Sequence, residues 1–368
     1  MGQKPDKLKL QSPTQDTSKD QIPEQFDKTK YKYDEVMQQI NKSQSQESLL
    51  ISKWGFMLDQ NFGILLGQLI SKQVQLVNLK LDLSINNLQK DGVIGLFENF
   101  INLDKLQMLI IQLSENKLLD EGVAGMIKGI SQCKNLQHLQ LNLSFNKITG
   151  DGANLKPLQN LKNLVMLNLN FERNAISQNG LESITSDLSS IINLQTLKLS
   201  FKNNQIQCID SLSYLSQLEN LRQLELQFQS NQITIQSFNK WQSDIKNGFK
   251  QLNSLELNFE QNNNFKDNSI DKLQLSGIAQ IKSLEKFIFS LSQYDLNICQ
   301  EISKLNNIKI LSLFEIFRRS DVTNCLKILS KMVNLRIFEI VSFYQSREDQ
   351  QVQKIMFKAK RLVVYIQA

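Results

Sequence analysis

The side chain best suited to proton transfer in this sequence is a single histidine, His138. Histidine chemistry usually needs a second group held beside the ring, such as a nucleophile or another ligand of a metal ion. The chain contains no nucleotide-binding loop, no zinc-protease motif and no kinase signature, and no nucleophile motif accompanies His138. The sequence therefore favours a protein without catalytic activity, and it predicts neither a cofactor nor a bound metal ion.

Carboxylates near the middle of the chain form the first candidate group of binding residues. They make this region acidic, although the whole chain carries a formal net charge of +6 and has a pI of about 8.9. Complementary potentials on two surfaces steer their encounter and fix their relative position. We therefore expect a basic segment of a protein partner to contact these glutamates, which are Glu172, Glu225, Glu256 and Glu260.

The cysteines indicate the compartment in which the chain works. Cys133, Cys208, Cys299 and Cys325 lie far apart, and no two of them form a CxxC pair. This spacing is typical of free thiols in a reducing compartment rather than of disulfides or metal ligands. The N-terminal residues lack the charged-then-apolar pattern of a signal segment, and no apolar run reaches the length of a membrane span. We expect a cytoplasmic protein without a membrane span.

The candidate residues are positioned by a repeat that is clearest between Leu136 and Ile148. Apolar residues occupy its first, fourth, sixth and eighth places, and asparagine occupies the eleventh. Alternation over the last three apolar places is the period of a β-strand with one buried face. Such a repeat predicts a solenoid. Regular copies begin at Leu76, Leu106, Leu136, Leu164, Leu194, Leu221 and Leu252, and weaker copies begin at Leu284, Ile308 and Leu335.

The asparagine at the eleventh place is present in every regular copy. A carboxamide both donates and accepts hydrogen bonds, so it can satisfy backbone groups that a buried bend leaves unpaired. Stacked copies should therefore form a ladder of asparagine side chains, and the loss of one should cost about 1–3 kcal/mol. The column comprises Asn86, Asn116, Asn146, Asn174, Asn204, Asn231 and Asn262.

A helix is predicted to return the chain after each asparagine. Leu118, Gly122, Met126 and Ile130 recur at four-residue spacing, which places them on one face of a helix. The glycine at the entrance allows a turn where a side chain would crowd the chain. Each copy is thus predicted to be a strand, a turn, a helix and a return. No copy can bury both of its apolar faces alone, so neighbouring copies must stack.

This pattern resembles the leucine-rich repeat family, and its helical return is most similar to the ribonuclease-inhibitor-like class. The resemblance covers roughly residues 76–345. It implies an α/β solenoid, or horseshoe, with a parallel sheet on the concave side and helices on the convex side. In that class the asparagine follows the third leucine by three places, whereas Leu141 and Asn146 are five places apart. Each strand is therefore expected to be two residues longer.

Apolar residues near the end of the chain form the second candidate group. In the regular copies, the strand residues that point away from the core are mostly polar, and in the last copies the same places become apolar. An exposed apolar patch is typical of an interaction site. Alternatively, the C-terminal segment covers these residues. The group comprises Ile310, Phe314, Ile316, Val341 and Phe343.

Four regions are predicted along the chain. Residues 1–46 are polar and hold three of the four prolines, which predicts a disordered segment with a short amphipathic helix near residues 26–41. Residues 47–75 are mostly apolar and are expected to form an N-terminal cap, built as an altered first copy. Residues 76–283 are the regular repeats, and residues 284–368 are degenerate repeats that end in a C-terminal cap.

The sequence therefore predicts a non-catalytic scaffold or adaptor, expected to be a monomer, that binds proteins on its concave face. The alternative is a regulator of an enzyme, such as a GTPase-activating protein, because some members of the resembled class do that work. Nucleic-acid binding is not expected, because the lysines are scattered among many acidic residues and form no block of like charge.

Overall fold

One open parallel sheet runs through the computed structural model, which describes residues 34–36, 38, 40, 46–245, 248–262, 272–292, 294–314, 322–341 and 363–367. Its strands pair in chain order, from the first to the twelfth. They are β1 (Ser48–Ser52), β2 (Asn78–Asp82), β3 (Met108–Gln112), β4 (His138–Asn142), β5 (Met166–Asn170), β6 (Thr196–Ser200), β7 (Gln223–Gln227), β8 (Ser254–Asn258), β9 (Lys286–Ser290), β10 (Ile310–Phe314), β11 (Ile337–Val341) and β12 (Val363–Gln367).

Helices return the chain between strands on the other side of the core. The α-helices are α1 (Gln60–Ile70), α2 (Gln89–Phe97), α3 (Leu119–Ile130), α4 (Gln178–Leu188), α5 (Ile235–Asp244), α6 (Leu296–Ser303) and α7 (Val322–Leu329). Short 3-10 helices span Phe100–Asn102, Lys156–Asn160, Asp210–Gln217 and Ile278–Gln280. The fold is the α/β leucine-rich-repeat solenoid that the repeat predicts, with a concave parallel sheet and convex helices.

Leucines at the fourth and sixth places build the core because the strands pair without any shift. Leu109 of β3 lies opposite Leu79 of β2 and Leu139 of β4. All three side chains are at most 1% exposed. Burial of one such leucine contributes about 1.5–3 kcal/mol. Repetition of this contact from strand to strand makes one continuous core along the solenoid.

The returns differ from the prediction that every copy contains an α-helix. The copies that begin at Leu136 and Leu194 return through 3-10 helices instead. Both copies are short, because the next copies begin at Leu164 and Leu221. A 3-10 helix rises about 2.0 Å per residue against 1.5 Å in an α-helix, so it spans a similar length with fewer residues. Fewer residues thus bridge the same distance across the convex side.

The two extra residues of each copy form a turn and do not lengthen the regular strand. The strands have five residues each. Backbone hydrogen bonds between neighbouring copies continue beyond the strand, at the eighth and tenth places. Leu113 N–H donates to Asn142 O at 2.9 Å, and Glu115 N–H donates to Ser144 O at 3.1 Å. The tenth place is left-handed in all seven regular copies, with φ between 52° and 58° at Ile85, Glu115, Phe145, Arg173, Asn203, Ser230 and Gln261.

The predicted asparagine ladder is confirmed. The side chain of Asn204 donates to Phe171 O of the preceding copy at 3.0 Å and to Phe201 O of its own copy at 2.9 Å. Its Oδ1 accepts from the N–H of Ile176 at 2.9 Å. Asn231, Asn262 and other members of the column likewise accept a hydrogen bond from the backbone N–H at the thirteenth place of the preceding copy. Each asparagine therefore joins two copies as well as closing its own turn.

Beside this ladder, the eighth places of four successive copies hold a stack of phenylalanines. Ring centroids are 5.7 Å apart for Phe171 and Phe201, 5.3 Å for Phe201 and Phe228, and 5.7 Å for Phe228 and Phe259. All four side chains are fully buried. Aromatic pairs at such spacing contribute about 0.5–1.5 kcal/mol beyond the burial of their area. The stack therefore strengthens the middle of the solenoid.

Glycines on the convex side serve close packing rather than the chain turn that the sequence suggested. A Cβ atom at Gly122 would lie 3.1 Å from Lys90 Cα, and one at Gly129 would lie 2.3 Å from Phe97 O. Both contacts are between neighbouring helices, α3 and α2. The backbone of Gly122 has no positive φ. These glycines let adjacent helices approach until their backbones nearly touch.

Replacing Gly67 with alanine is expected to lower the free energy of unfolding by about 1–3 kcal/mol, because overpacking strains the structure. The new Cβ would lie 2.5 Å from Gly95 O and 2.5 Å from Leu96 O, both backbone atoms of α2. Alanine is otherwise the better helix former by about 1 kcal/mol. Denaturant unfolding checks this prediction against Gln68→Ala, an exposed change on the same helix. Equal stability of the two variants would contradict it.

The two ends of the sheet are covered differently. Val36 and Ile40, in the described part of the predicted N-terminal helix, are buried in the core, and Glu35 Oε2 lies 2.8 Å from Lys53 Nζ. At the other end β12 pairs with β11 in parallel. Tyr294 replaces the asparagine in its copy, and its hydroxyl donates to the backbone carbonyl of Phe289. Residues 1–33 lie outside the described residues.

Candidate functional site

The concave face is formed by the third, fifth and seventh places of each copy, which alternate with the buried leucines. Because strands pair without shift, the same places form columns across the sheet. The polar character predicted for these places holds through the regular copies, where most of the side chains are half-buried. The fifth-place column reads Lys80, Ile110, Gln140, Asn168, Lys198, Glu225, Glu256, Ile288, Ser312 and Glu339.

Glu225 and Glu256 lie directly opposite each other on β7 and β8. Lys198 Nζ is 2.7 Å from Glu225 Oε2. The amide of Gln227 donates to Glu225 Oε1 at 3.2 Å and to Glu256 Oε1 at 2.9 Å. Gln229 in turn donates to Gln227 Oε1 at 2.9 Å. One amide thus bridges two neighbouring carboxylates on the concave face.

Glu256 is the less neutralised member of this pair. Among the described residues, Glu225 has an ion pair with Lys198 but Glu256 has none. Burial is the main reason that the pKa of Glu256 lies above its ordinary value, and the charge of Glu225 raises it further. The hydrogen bond from Gln227 and the charges of Lys198 and Lys286 act in the opposite direction. An added cation beside Glu256 would therefore stabilise its charged carboxylate.

A cleft of about 340 Å³ opens beside this pair. Its charged lining includes Lys309, whose Nζ lies 2.5 Å from Glu285 Oε1. Ile310 makes the lining apolar at its far end. A cleft of this size accepts a few side chains of a partner and lies near the lower bound for small-molecule sites. Its lining includes Lys198, Glu225, Glu256, Lys286, Lys309 and Ile310.

The other two predicted glutamates lie in the turns that follow the strands. Glu172 and Glu260 occupy the ninth places after β5 and β8. Lys202 Nζ is 3.8 Å and Arg173 Nε is 3.9 Å from Glu172 Oε1. Burial raises the pKa of Glu260, while the Asn258 hydrogen bond and the Lys202 charge lower it. The structure thus divides the four glutamates between the concave face and its rim.

The predicted apolar group is described only in part. Ile310 and Phe314 are half-buried at the two ends of β10, and Ser312 between them donates to Glu339 Oε2 at 2.5 Å. Val341 is the last residue of β11, and the described part of the structure does not include its side chain. Ile316 and Phe343 lie outside the described residues. On the neighbouring strand β9, Ile288 adds a half-buried apolar side chain.

Two features of this region escaped the sequence argument. Strand register determines that Gln227 bridges the two carboxylates. It also determines that Lys198 pairs with Glu225, and the fifth place that these two residues share was the signal for this pair in the sequence.

A further ladder runs along the ends at which the strands begin, where an asparagine precedes the first leucine of a copy. Its members donate to the preceding copy's backbone, as in Asn193 to Lys162 O at 2.8 Å and Asn220 to Ile192 O at 3.0 Å.

Solved structures match this chain, whereas family models and curated proteins do not. No family model and no curated protein matches the chain. Among solved structures 187 chains match, including the plant peptide hormone receptor RGFR1 in complex with RGF2. That receptor is 14% identical, with a TM-score of 0.30 over 88% of this chain and 57% of the receptor chain. This chain thus matches little more than half of the receptor, and a likeness at this level assigns it neither ligand nor activity.

The described residues contain neither a membrane-spanning helix nor a cluster of metal ligands. None of the helices in the described ranges is long and apolar enough to cross a membrane. No group of three or more histidine, cysteine, aspartate or glutamate side chains in those ranges could hold a metal ion. His138 is half-buried on the concave face, opposite Met108 and Met166. The carboxylate pair and its cleft form the candidate site on the concave face.

Replacing Glu256 with glutamine is expected to stabilise the protein slightly at pH 7, by up to about 0.5 kcal/mol. The folded state binds the proton of Glu256 more tightly than the unfolded state, because the pKa is raised. Wild-type stability therefore falls as pH rises through that pKa, and the glutamine variant lacks this loss. Thermal melts of both proteins at pH 7 and pH 4 check this. A wild type more stable than the variant at pH 7 would contradict it.

Proposed function

We propose that this chain is a non-catalytic protein-binding scaffold whose partner docks on the concave face around Glu225 and Glu256. The observation that carries the proposal is the half-buried carboxylate pair, in which Glu256 has a raised pKa and, among the described residues, no ion pair. Like charges directly opposite each other on paired strands are unfavourable, and Glu225 and Glu256 hold such places. Residues that break local rules of stability are expected at functional sites.

We also propose that the repeats are of the ribonuclease-inhibitor-like class and that the protein is cytoplasmic. The α-helical returns of α2, α3 and α4 support the class. Three of the four thiols, at Cys133, Cys299 and Cys325, are buried, and burial raises the pKa of Cys133 to about 12. Buried thiols of this kind serve as small apolar side chains and need no oxidising compartment.

The test is quantitative partner recovery from native cells with three forms of the full chain as bait. These are the wild type, Glu256→Lys and the matched control Glu98→Lys. Glu98 is exposed just after helix α2, where a cation is favoured by the helix dipole. We expect Glu256→Lys to reduce recovery of the main partner at least tenfold, while Glu98→Lys leaves it unchanged. Equal recovery with all three baits would overturn the concave-face proposal.

The identity of the partner separates the scaffold from the regulator alternative. Stable recovery of a structural or signalling protein that depends on Glu256 fits a scaffold. Recovery of a small GTPase, together with faster GTP hydrolysis when the purified chain is added, would instead favour the regulator. Melting curves of the three baits serve as the folding control, because recovery is compared only among baits that remain folded.

A further inference from the structure

We infer that the concave face takes an extended protein segment with a lysine or arginine two residues away from an apolar residue. This inference rests on the proposed function and names the partner's chemistry at the same site. The fifth places of three adjacent strands carry it, since Glu225, Glu256 and Ile288 lie in one row across β7, β8 and β9. The row changes from carboxylate to apolar within one strand spacing.

The spacing of this row matches the period of an extended chain. Adjacent strands are about 4.8 Å apart, so the midpoint between Glu225 and Glu256 lies roughly 7.2 Å from Ile288 in the plane of the sheet. Side chains on one face of an extended segment recur every two residues, or about 6.6–6.8 Å. A segment that crosses the strands can therefore place a base between the two carboxylates and its second neighbour on Ile288.

Charge decides which residue occupies the first position. Lys198 already pairs with Glu225, and Gln227 gives its amide to both carboxylates, yet neither supplies Glu256 with an ion pair. A cation placed between the carboxylates gains from both charges in a half-buried setting, where the interaction is stronger than in water. An anion there would meet two carboxylates. The geometry therefore favours a lysine or arginine over an acidic side chain or a phosphate.

Apolar neighbours decide which residue occupies the second position. Ile310 and Phe314 on β10 flank Ile288 diagonally, two places before and two places after its partner Ser312. All three apolar side chains are half-buried. Diagonal neighbours lie within reach of aromatic and long side chains. The three form a shallow apolar seat, and Ile310 also lines the charged cleft. A leucine, isoleucine or phenylalanine of the partner fits this seat.

The test uses a dense array of synthetic peptides with the frame Gly-Ser-Xaa-Thr-Zaa-Ser-Gly, probed with the labelled full chain. Xaa and Zaa each run through all amino acids, and a second series moves Zaa to one or three residues from Xaa. We expect the strongest signal with a base at Xaa and an apolar residue at Zaa. A change of spacing should reduce this signal at least fivefold.

Three variants of the full chain locate the contacts. Glu256→Gln should abolish the preference for a base at Xaa and keep the apolar preference at Zaa, while Ile288→Ser should do the reverse. Asn168→Gln, on the same face but on β5, should change neither. An array without signal, a preference for acidic or uncharged residues at Xaa, or a pattern unchanged by Glu256→Gln would overturn the inference. Partner recovery that depends on Glu256 would survive those outcomes, so the two proposals fail separately.

Discussion

Phe201→Ala is expected to lower the free energy of unfolding by about 3–5 kcal/mol, the usual range for a buried phenylalanine. Phe201 is fully buried, and its ring lies in the middle of the stack between Phe171 and Phe228. Removing the ring leaves a cavity and deletes two aromatic contacts at once. The neighbouring copies cannot close around the gap, because their strands are fixed in register on both sides.

Phe145→Ala is the matched control for this prediction. Phe145 is 40% exposed and lies in the turn after β4, where the guanidinium of Arg173 sits 5.0 Å from its ring centroid. Loss of an exposed cation–π contact costs about 0.5–1 kcal/mol. Guanidinium unfolding followed by circular dichroism measures both variants. A smaller loss of stability for Phe201→Ala than for Phe145→Ala would show that the aromatic stack does not hold the copies together.

Asn204→Ala is expected to lower the free energy of unfolding by about 1–3 kcal/mol. The substitution leaves the carbonyls of Phe171 and Phe201 and the N–H of Ile176 without their side-chain partner. A buried polar group that loses its partner costs about 1–3 kcal/mol. Asn204 is 8% exposed, so water cannot readily replace the lost bonds. Asparagine is thus required at this place by the backbone rather than by a ligand.

Hydrogen exchange measures the effect of Asn204→Ala at a single amide. Amide exchange of Ile176 should speed up at least tenfold in Asn204→Ala, because its acceptor is gone. The matched control is Asn193→Ala in the exposed ladder, where the freed carbonyl of Lys162 can bind water. That variant should lose less than about 0.5 kcal/mol. Unchanged protection of Ile176 in Asn204→Ala would contradict the role given to the ladder.

Much of the fold could be predicted from the repeat because each place has one physical task. Leu79, Leu109 and Leu139 had to be buried, since alternation fixes which strand face is apolar. The asparagine had to pair with backbone, since its carboxamide both donates and accepts and its short side chain reaches the backbone of a bend. Stacking followed because a single copy cannot bury both of its faces. The spacing of residues is therefore enough to predict the core, the ladder and the stacking.

The returns and turns could not be predicted in the same way. The choice between a 3-10 and an α-helix depends on how far the chain must reach across the convex side, and that distance is set by neighbouring copies. The left-handed tenth place is occupied by residues as different as Ile85, Glu115 and Phe145, so it carries no residue signature. The spacing indicates that Gly122 lies at the entrance of a helix, but its close approach to Lys90 depends on how two neighbouring copies are arranged.

The site was predictable where strand register alone determines neighbours. Glu225 and Glu256 share the fifth place and so had to face each other across β7 and β8. Glu172 and Glu260 were grouped with them, but they occupy ninth places, where the chain has already left the strand. The distinction between a strand place and a turn place decides whether a side chain lines the concave face. Ile316 and Phe343 stay predictions.

The central claim is that a partner docks on the concave face beside Glu225 and Glu256, and site-specific photocrosslinking in native cells tests it most directly. One form of the full chain carries a photoreactive residue at Gln223, which is exposed on β7 and lines the cleft. A second form carries it at Lys128, which is exposed on the convex helix α3. The claim predicts a partner crosslinked through position 223 and absent from position 128. Crosslinking through position 128 alone, or through neither position, would contradict it.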